Sequence, residues 1–229
     1  MRRLVVALIV VLGLAFAADR VALVSVQRQI ADQVQQQEHL DRRPTVAMHG
    51  FPFLTQVASG RYDGGVVVLQ NLPGRLRVQR LTVQLADVRL PPRDLLTGSA
   101  VAVPVKEVRG EARVAYADLA AATGIPGVRI TPQGDRLELA VPITELGQTV
   151  RLRVSARIGI TGGGLQITAG KAQGISLPQP IVDLALAQLT HALPLDQLPY
   201  GLRLTGLRVG PSGLDVSATA HDIVLRRPA

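Results

Sequence analysis

The hydrophobic pattern is strongest at the beginning of the chain. Two arginines at positions 2 and 3 precede an uninterrupted run of fifteen apolar residues, Leu4–Ala18. As a helix this run spans about 22 Å, short of the roughly 30 Å hydrocarbon core of a bilayer. The order of charge and apolar residues predicts export, with residues 1–17 either a signal peptide cleaved before Ala18 or a retained membrane anchor. Both possibilities exclude a cytosolic enzyme.

After the apolar run, the spacing of apolar residues becomes that of an amphipathic helix. This helix extends to about Leu40 and ends before Pro44. Apolar side chains recur every three or four positions, and polar residues occupy the other faces. We expect this face to contact lipid through Leu23, Val26, Ile30 and Val34.

Most of the remaining chain alternates between apolar and polar residues, as strands do. The clearest case is 150–160, where six aliphatic or small residues alternate with Arg151, Arg153, Arg157 and other polar or small residues. Several strands switch parity, for example near Thr205-Gly206, and each switch predicts a bulge or bend. The turns Pro132–Asp135, 162–164 and Gly210–Gly213 predict hairpins.

Two further helices are predicted, a short one at Tyr116–Thr123 and a mostly apolar one at Ile181–Leu193. The expected fold class is α+β: a strongly curved antiparallel β-sheet wrapped around the long N-terminal amphipathic helix, with the second apolar helix beside it. Residues 18–229 are expected to form a single domain.

Composition narrows the possible partners. The net charge is +8, of which +6 remains if Arg2 and Arg3 are removed with residues 1–17. There is no cysteine and no tryptophan, so the chain has neither disulfides nor thiolate chemistry and few surfaces on which bases could stack. Nucleic acid is therefore an unexpected partner for this exported chain, and an anionic membrane surface is the expected one.

No motif predicts catalysis, a metal site or a cofactor. The four histidines lack the spacing of a zinc site. The triple glycine at 162–164 is read as a turn, because neither a phosphate-binding lysine nor a strand-to-helix context accompanies it. No Gly-x-Ser-x-Gly sequence is present.

The segment Phe51-Pro52-Phe53 has two interpretations. The aromatic rings either fill the core from an anchored loop, or form a lipid-facing lip or gate together with Leu54. Sequence alone leaves both open.

Several segments resemble one known family. These are His49–Gln56 (HGFPFLTQ) with Gly60-Arg61-Tyr62 after it, Leu198–Leu204 (LPYGLRL) and Gly213–Ala220 (GLDVSATA). Together they resemble the actinobacterial LmeA-like family of envelope lipid-binding proteins, over nearly the whole chain. The resemblance implies a tubular lipid-binding fold and non-catalytic phospholipid binding or transfer.

From the residues themselves we predict two sets of contacts. Acyl chains are expected against inward aliphatic faces, and lipid head groups against exposed arginines. Besides the helix face above, the acyl set comprises Phe51, Phe53, Leu54, Leu152, Val154, Ile158, Ile181, Leu184 and Leu189, and the head-group set comprises Arg75, Arg77, Arg151 and Arg153. The alternatives are an envelope scaffold with a filled core and, with less support, an envelope hydrolase or glycan enzyme.

Overall fold

The computed structural model describes residues 2–72, 76–97, 102–145, 148–161, 164–173, 192–193 and 202–226. Its α+β class confirms the prediction. The described helices are α1 (Arg2–Gln37), α2 (Phe53–Ser59), α3 (Pro92–Thr97) and α4 (Tyr116–Ala122). The described strands are β1 (Thr45–Met48), β2 (Arg61–Leu72), β3 (Val78–Arg89), β4 (Ala102–Ala115), β5 (Arg129–Gln133), β6 (Arg136–Glu145), β7 (Gln148–Thr161), β8 (Gly164–Gln173), β9 (Ala192–Leu193), β10 (Arg203–Val209) and β11 (Gly213–Arg226).

The described strands form two sheets. One has the order β1-β2-β3-β4-β11-β10 and the other the order β5-β6-β7-β8-β9. The chain divides into two compact units, which we call unit 1 (1–69, 82–109 and 220–229) and unit 2 (70–81 and 110–219). These bounds divide β2, β3, β4 and β11, so each of those strands contributes residues to both units.

In unit 1, α1 joins the apolar run and the amphipathic segment in one continuous helix. Asp19 and Ala31 are its buried residues, whereas residues 2–18 are exposed throughout. The second half packs against β1 and α2. Its predicted apolar face, Leu23, Val26, Ile30 and Val34, is half-buried, as expected for an amphipathic helix resting on a protein surface.

In unit 2, the alternation at 150–160 forms strand β7 as predicted. Leu152, Val154 and Ala156 lie in the core, while Arg151 and Arg153 are exposed on the opposite face. The core also contains Leu119, Val128, Ile130, Leu137 and Leu139. This cluster draws apolar side chains from α4, β5, β6 and β7, so it closes that side of the five-stranded sheet.

The predicted hairpins are present. Strands β5 and β6 join at Gly134-Asp135, and β7 pairs with β8 up to Thr161 opposite Gly164. In the β10–β11 hairpin the N–H of Gly210 donates to the carbonyl of Gly213 at 2.9 Å.

The parity switch at Thr205-Gly206 is a bulge, because the β10–β11 register shifts between Leu204 and Gly206. Asp87 in β3 and Asp222 in β11 have φ of 50°, a left-handed backbone within long strands. Most of the predicted apolar helix at 181–193 lies outside the described residues. Its last two residues, Ala192–Leu193, are described and form the short strand β9.

Leu152→Ala tests the packing of the unit 2 core. Removing this fully buried side chain should lower the free energy of unfolding by about 2–5 kcal/mol, because the lost contacts leave a cavity. Chemical denaturation measures the effect. Ile160→Ala, at a partly exposed position on the same strand, should cost less, and equal losses would contradict the assignment of Leu152 to a packed core.

Candidate lipid-binding site

Unit 2 has a cleft among its described residues, which we call the α4–β5 cleft. Its volume is about 620 Å³. It is formed by α4, the loop that follows and β5, and is lined by Tyr116, Ala117, Ala120, Ala121, Gly124, Ile125, Pro126, Gly127, Val128, Arg129, Ile130 and Thr131.

The side chains of α4 explain why a cleft exists here. The helix presents Ala117, Ala120 and Ala121 to it, and their methyl groups leave space that larger side chains would fill. Gly124 and Gly127 have φ of 71° and 73°, a left-handed backbone that glycine adopts without strain, so the loop can turn from the helix into the strand.

The α4–β5 cleft has few polar groups in its lining. Arg129 and Thr131 line the cleft and are exposed. Tyr116 is buried, and its hydroxyl donates to the carbonyl of Gly210 at 2.5 Å. Burial and, to a smaller degree, the negative charge of Asp215 raise the pKa of Tyr116. Tyr116 is therefore a neutral structural donor, and Arg129 supplies the positive charge of the cleft.

An ion pair links the two strands beside Tyr116. The guanidinium of Arg113 on β4 donates to both carboxylate oxygens of Asp215 on β11, at 2.6 and 3.0 Å. Paired in this way, Asp215 is balanced by a fixed cation, and its carboxylate raises the pKa of Arg113.

The α4–β5 cleft combines a mainly apolar lining with one cation, Arg129. In the described residues, no group of three histidine, aspartate or glutamate side chains lies close enough together to hold a metal ion. The model of a family described as LmeA-like phospholipid-binding matches residues 17–219. The chain belongs to that family.

No curated protein and no solved structure matches the chain. The LmeA-like match begins at Ala17 and therefore leaves out nearly all of the apolar N-terminal run. It includes the amphipathic half of α1, the Phe51-Pro52-Phe53 segment and every residue of the α4–β5 cleft.

The structure places the predicted acyl contacts of unit 2 in different environments. Leu152 and Val154 have no exposed surface, so a lipid could reach them only if the core opened. Ile158 is half-buried and packs against Leu214 and Val216. Ile181, Leu184 and Leu189 lie outside the described residues.

The predicted head-group contacts are exposed where the structure describes them. Arg151 and Arg153 project from the face of β7 opposite the core, and Arg77 is exposed immediately before β3. Arg75 lies outside the described residues. The three described arginines can therefore reach an anionic surface without conformational change.

The two rings of the Phe51-Pro52-Phe53 segment lie in opposite environments. Phe53 begins α2, is 1% exposed and contacts Tyr62, with 6.3 Å between ring centroids. Phe51 is 62% exposed, and Leu54 is 42% exposed. One ring is thus part of the protein interior and the other faces outward.

Sequence reasoning missed the α4–β5 cleft. From the sequence, Tyr116–Thr123 is predicted only as a short helix. The signal that was available is the run of small residues at Ala120–Ala122 followed by Gly124-Ile125-Pro126-Gly127, a helix surface and a loop that both lack bulk.

Tyr116→Phe tests the hydrogen bond beside the cleft. We expect a loss of about 0.5–1.5 kcal/mol of unfolding free energy at neutral pH. Because the folded-state pKa of Tyr116 is raised, its stabilisation is complete below the ordinary tyrosine pKa of 10.0 and is lost as pH rises through the folded pKa. The difference in unfolding free energy between wild type and Tyr116→Phe should therefore shrink as pH rises through the folded pKa of Tyr116. Denaturation curves at several pH values measure this difference.

Tyr62→Phe is the matched control. The Tyr62 hydroxyl is buried and has no hydrogen-bond partner among the described residues, so its removal should cost nothing at neutral pH. A Tyr116→Phe variant as stable as wild type at neutral pH would contradict a structural role for the bond to Gly210.

Proposed function

We propose that this LmeA-like protein is exported to the cell envelope and binds one phospholipid, with an acyl chain in the α4–β5 cleft and the phosphate on Arg129. The observation that carries the proposal is the cleft itself, a hollow of about 620 Å³ with mainly small apolar side chains and an arginine in its lining. Sites of roughly 300–1,000 Å³ with apolar walls and a few polar groups are typical of small-molecule binding.

The chemistry of the lining fits the two parts of a phospholipid. Alanine, isoleucine and valine side chains offer acyl carbons the same environment that they offer each other. Guanidinium groups bind phosphate oxygens with charge-assisted hydrogen bonds, and Arg129 is exposed where such a group could approach. No step in this scheme needs a nucleophile or a base, so the protein acts by binding rather than by catalysis.

The half-buried face of α1 is a second lipid-contacting surface in the proposal. Leu23, Val26, Ile30 and Val34 remain part of it as predicted, and the exposed arginines at 77, 151 and 153 are proposed to contact anionic lipid. An open cleft permits a bound lipid to enter and leave, so we extend the proposal to transfer of lipid between membranes.

Lipid extraction tests the proposal. Residues 18–229 should be produced in a bacterial host and purified without detergent, since residues 2–17 are all exposed and lie outside the packed core. Mass spectrometry of organic extracts should detect phospholipid in stoichiometric amount.

A separate experiment tests cleavage of the N-terminal segment. Determining the N-terminus of the full chain produced in an actinobacterial host would show whether cleavage before Ala18 occurs.

Substitutions in the cleft locate the lipid. Ala117→Trp and Ala121→Trp should each reduce the bound lipid several-fold, because the indole ring occupies the space proposed for the acyl chain. Ala58→Trp, at an exposed alanine of a short helix in unit 1, is the matched control and should retain the lipid. Lipid retained by both cleft variants would move the acyl site to the face of α1.

A non-catalytic envelope scaffold is the second candidate, and the filled core of unit 2 favours it. Leu152 and Val154 are completely enclosed by protein side chains. A folded sample that stays free of lipid after incubation with phospholipid vesicles would overturn lipid binding and support the scaffold.

A further inference from the structure

Aromatic, aliphatic and cationic side chains from α1 and from residues 51–54 form a cluster where the apolar run of α1 ends. We call Phe16, Arg20, Phe51 and Leu54 the collar. The rings of Phe16 and Phe51 are in contact, with centroids 5.9 Å apart. The guanidinium carbon of Arg20 lies 5.1 Å from the ring centroid of Phe51 and 5.8 Å from that of Phe16. One cation thus faces two aromatic rings.

Asp19 holds the collar together. Its side chain is buried, and one carboxylate oxygen accepts a hydrogen bond from the N–H of Leu54 at 2.7 Å. The other oxygen is paired with the guanidinium of Arg20. The first turn of α2 is therefore attached to α1 at one point, and the negative charge of Asp19 is already compensated.

The collar continues an apolar surface that the protein does not cover. Residues 4–18 of α1 are exposed on all sides, and the helix is long and apolar enough to cross a membrane. Phe51 and Leu54, which come from a different part of the chain, enlarge this surface at one end of the run. Exposed apolar area of this size is unfavourable in water, so it marks a contact with lipid or protein.

We propose that the collar is a docking surface that seats unit 1 on the outer face of an anionic phospholipid bilayer while the first half of α1 lies within it. Phe16, Phe51 and Leu54 would lie at the boundary between acyl chains and head groups, and Arg20 would reach lipid phosphates. This inference is independent of the α4–β5 cleft.

The spacing of the arginines along α1 agrees with a membrane position. Seventeen helical steps separate Arg3 from Arg20, a rise of about 26 Å at 1.5 Å per residue. That distance is close to the roughly 30 Å hydrocarbon core, and long arginine side chains extend toward head groups at both ends. The arginines at positions 2 and 3 place that end on the cytoplasmic side.

Charge favours a bilayer over a protein partner. Arg20 and Asp19 form an ion pair, but the carboxylate is buried whereas the guanidinium is partly exposed. The outward-facing member of the pair is therefore the cation, and it lies within an apolar patch. A bilayer presents anionic head groups above acyl chains, so the head groups can contact the cation while the acyl chains contact the apolar side chains.

The absence of tryptophan from the sequence permits a direct test. In the full chain, Phe51→Trp places a single fluorescent reporter in the collar, and Leu54→Trp places a second one in case the first variant does not fold. Val224→Trp is the control, since Val224 in unit 1 is 43% exposed and Leu54 is 42% exposed. Each variant is reconstituted into vesicles of phosphatidylcholine with phosphatidylglycerol, with and without brominated acyl chains.

Emission of the collar reporters should shift to shorter wavelength and be quenched by the brominated lipids, whereas Val224→Trp should show neither effect. Quenching should be stronger with phosphatidylglycerol than with phosphatidylcholine alone, and Arg20→Gln should reduce that difference while leaving a donor for Asp19. Collar reporters that remain unshifted and unquenched in vesicles that retain the protein would overturn the proposal. Equal quenching of Val224→Trp would do the same.

Discussion

One buried carboxylate links the end of the apolar run of α1 to the start of α2. Asp19 lies inside α1 immediately after the apolar run, and it accepts a hydrogen bond from the N–H of Leu54 at the start of α2. Unpaired, a buried carboxylate would be costly, but the backbone N–H and Arg20 compensate it. The bond joins residues 35 positions apart and so determines which side chains surround the helix at the point where its exposed segment begins.

The two units use the same aliphatic composition in different ways. In unit 2, strands β6 and β7 contribute Leu137, Leu139, Leu152 and Val154 to a cluster without exposed surface. In the same unit, the alanines of α4 lack the bulk of these side chains, and the α4–β5 cleft lies beside them. In unit 1, the apolar face of α1 stays half-buried. In unit 2, side-chain size therefore distinguishes the core from the candidate binding surface, whereas in unit 1 large side chains form a surface that the protein covers only in part.

Sequence reasoning was most successful where one side of an element is buried. The alternation at 150–160 predicted both the strand and its exposed arginines, because a period of two fixes which face each residue occupies. The amphipathic part of α1, the short helix at Tyr116 and the turn at Gly210–Gly213 followed from equally local rules. The role of Asp19 was not predicted, since nothing local in the sequence indicates that its partner is Leu54. Likewise, Phe51 and Phe53 have the same chemistry and similar sequence neighbours, and only long-range packing gives them opposite environments.

The bulge in β10 illustrates how this fold handles a change of chain length. Leu204 and Leu207 are separated by an odd number of positions and would point to opposite faces of a regular strand, yet both pack against the Leu214–Val216 pair. The register shift between Leu204 and Gly206 restores a common face by leaving one residue without a cross-strand partner. An inserted residue is thus absorbed locally. Such a strand can gain or lose a residue during evolution while the side chains beyond the bulge keep their places.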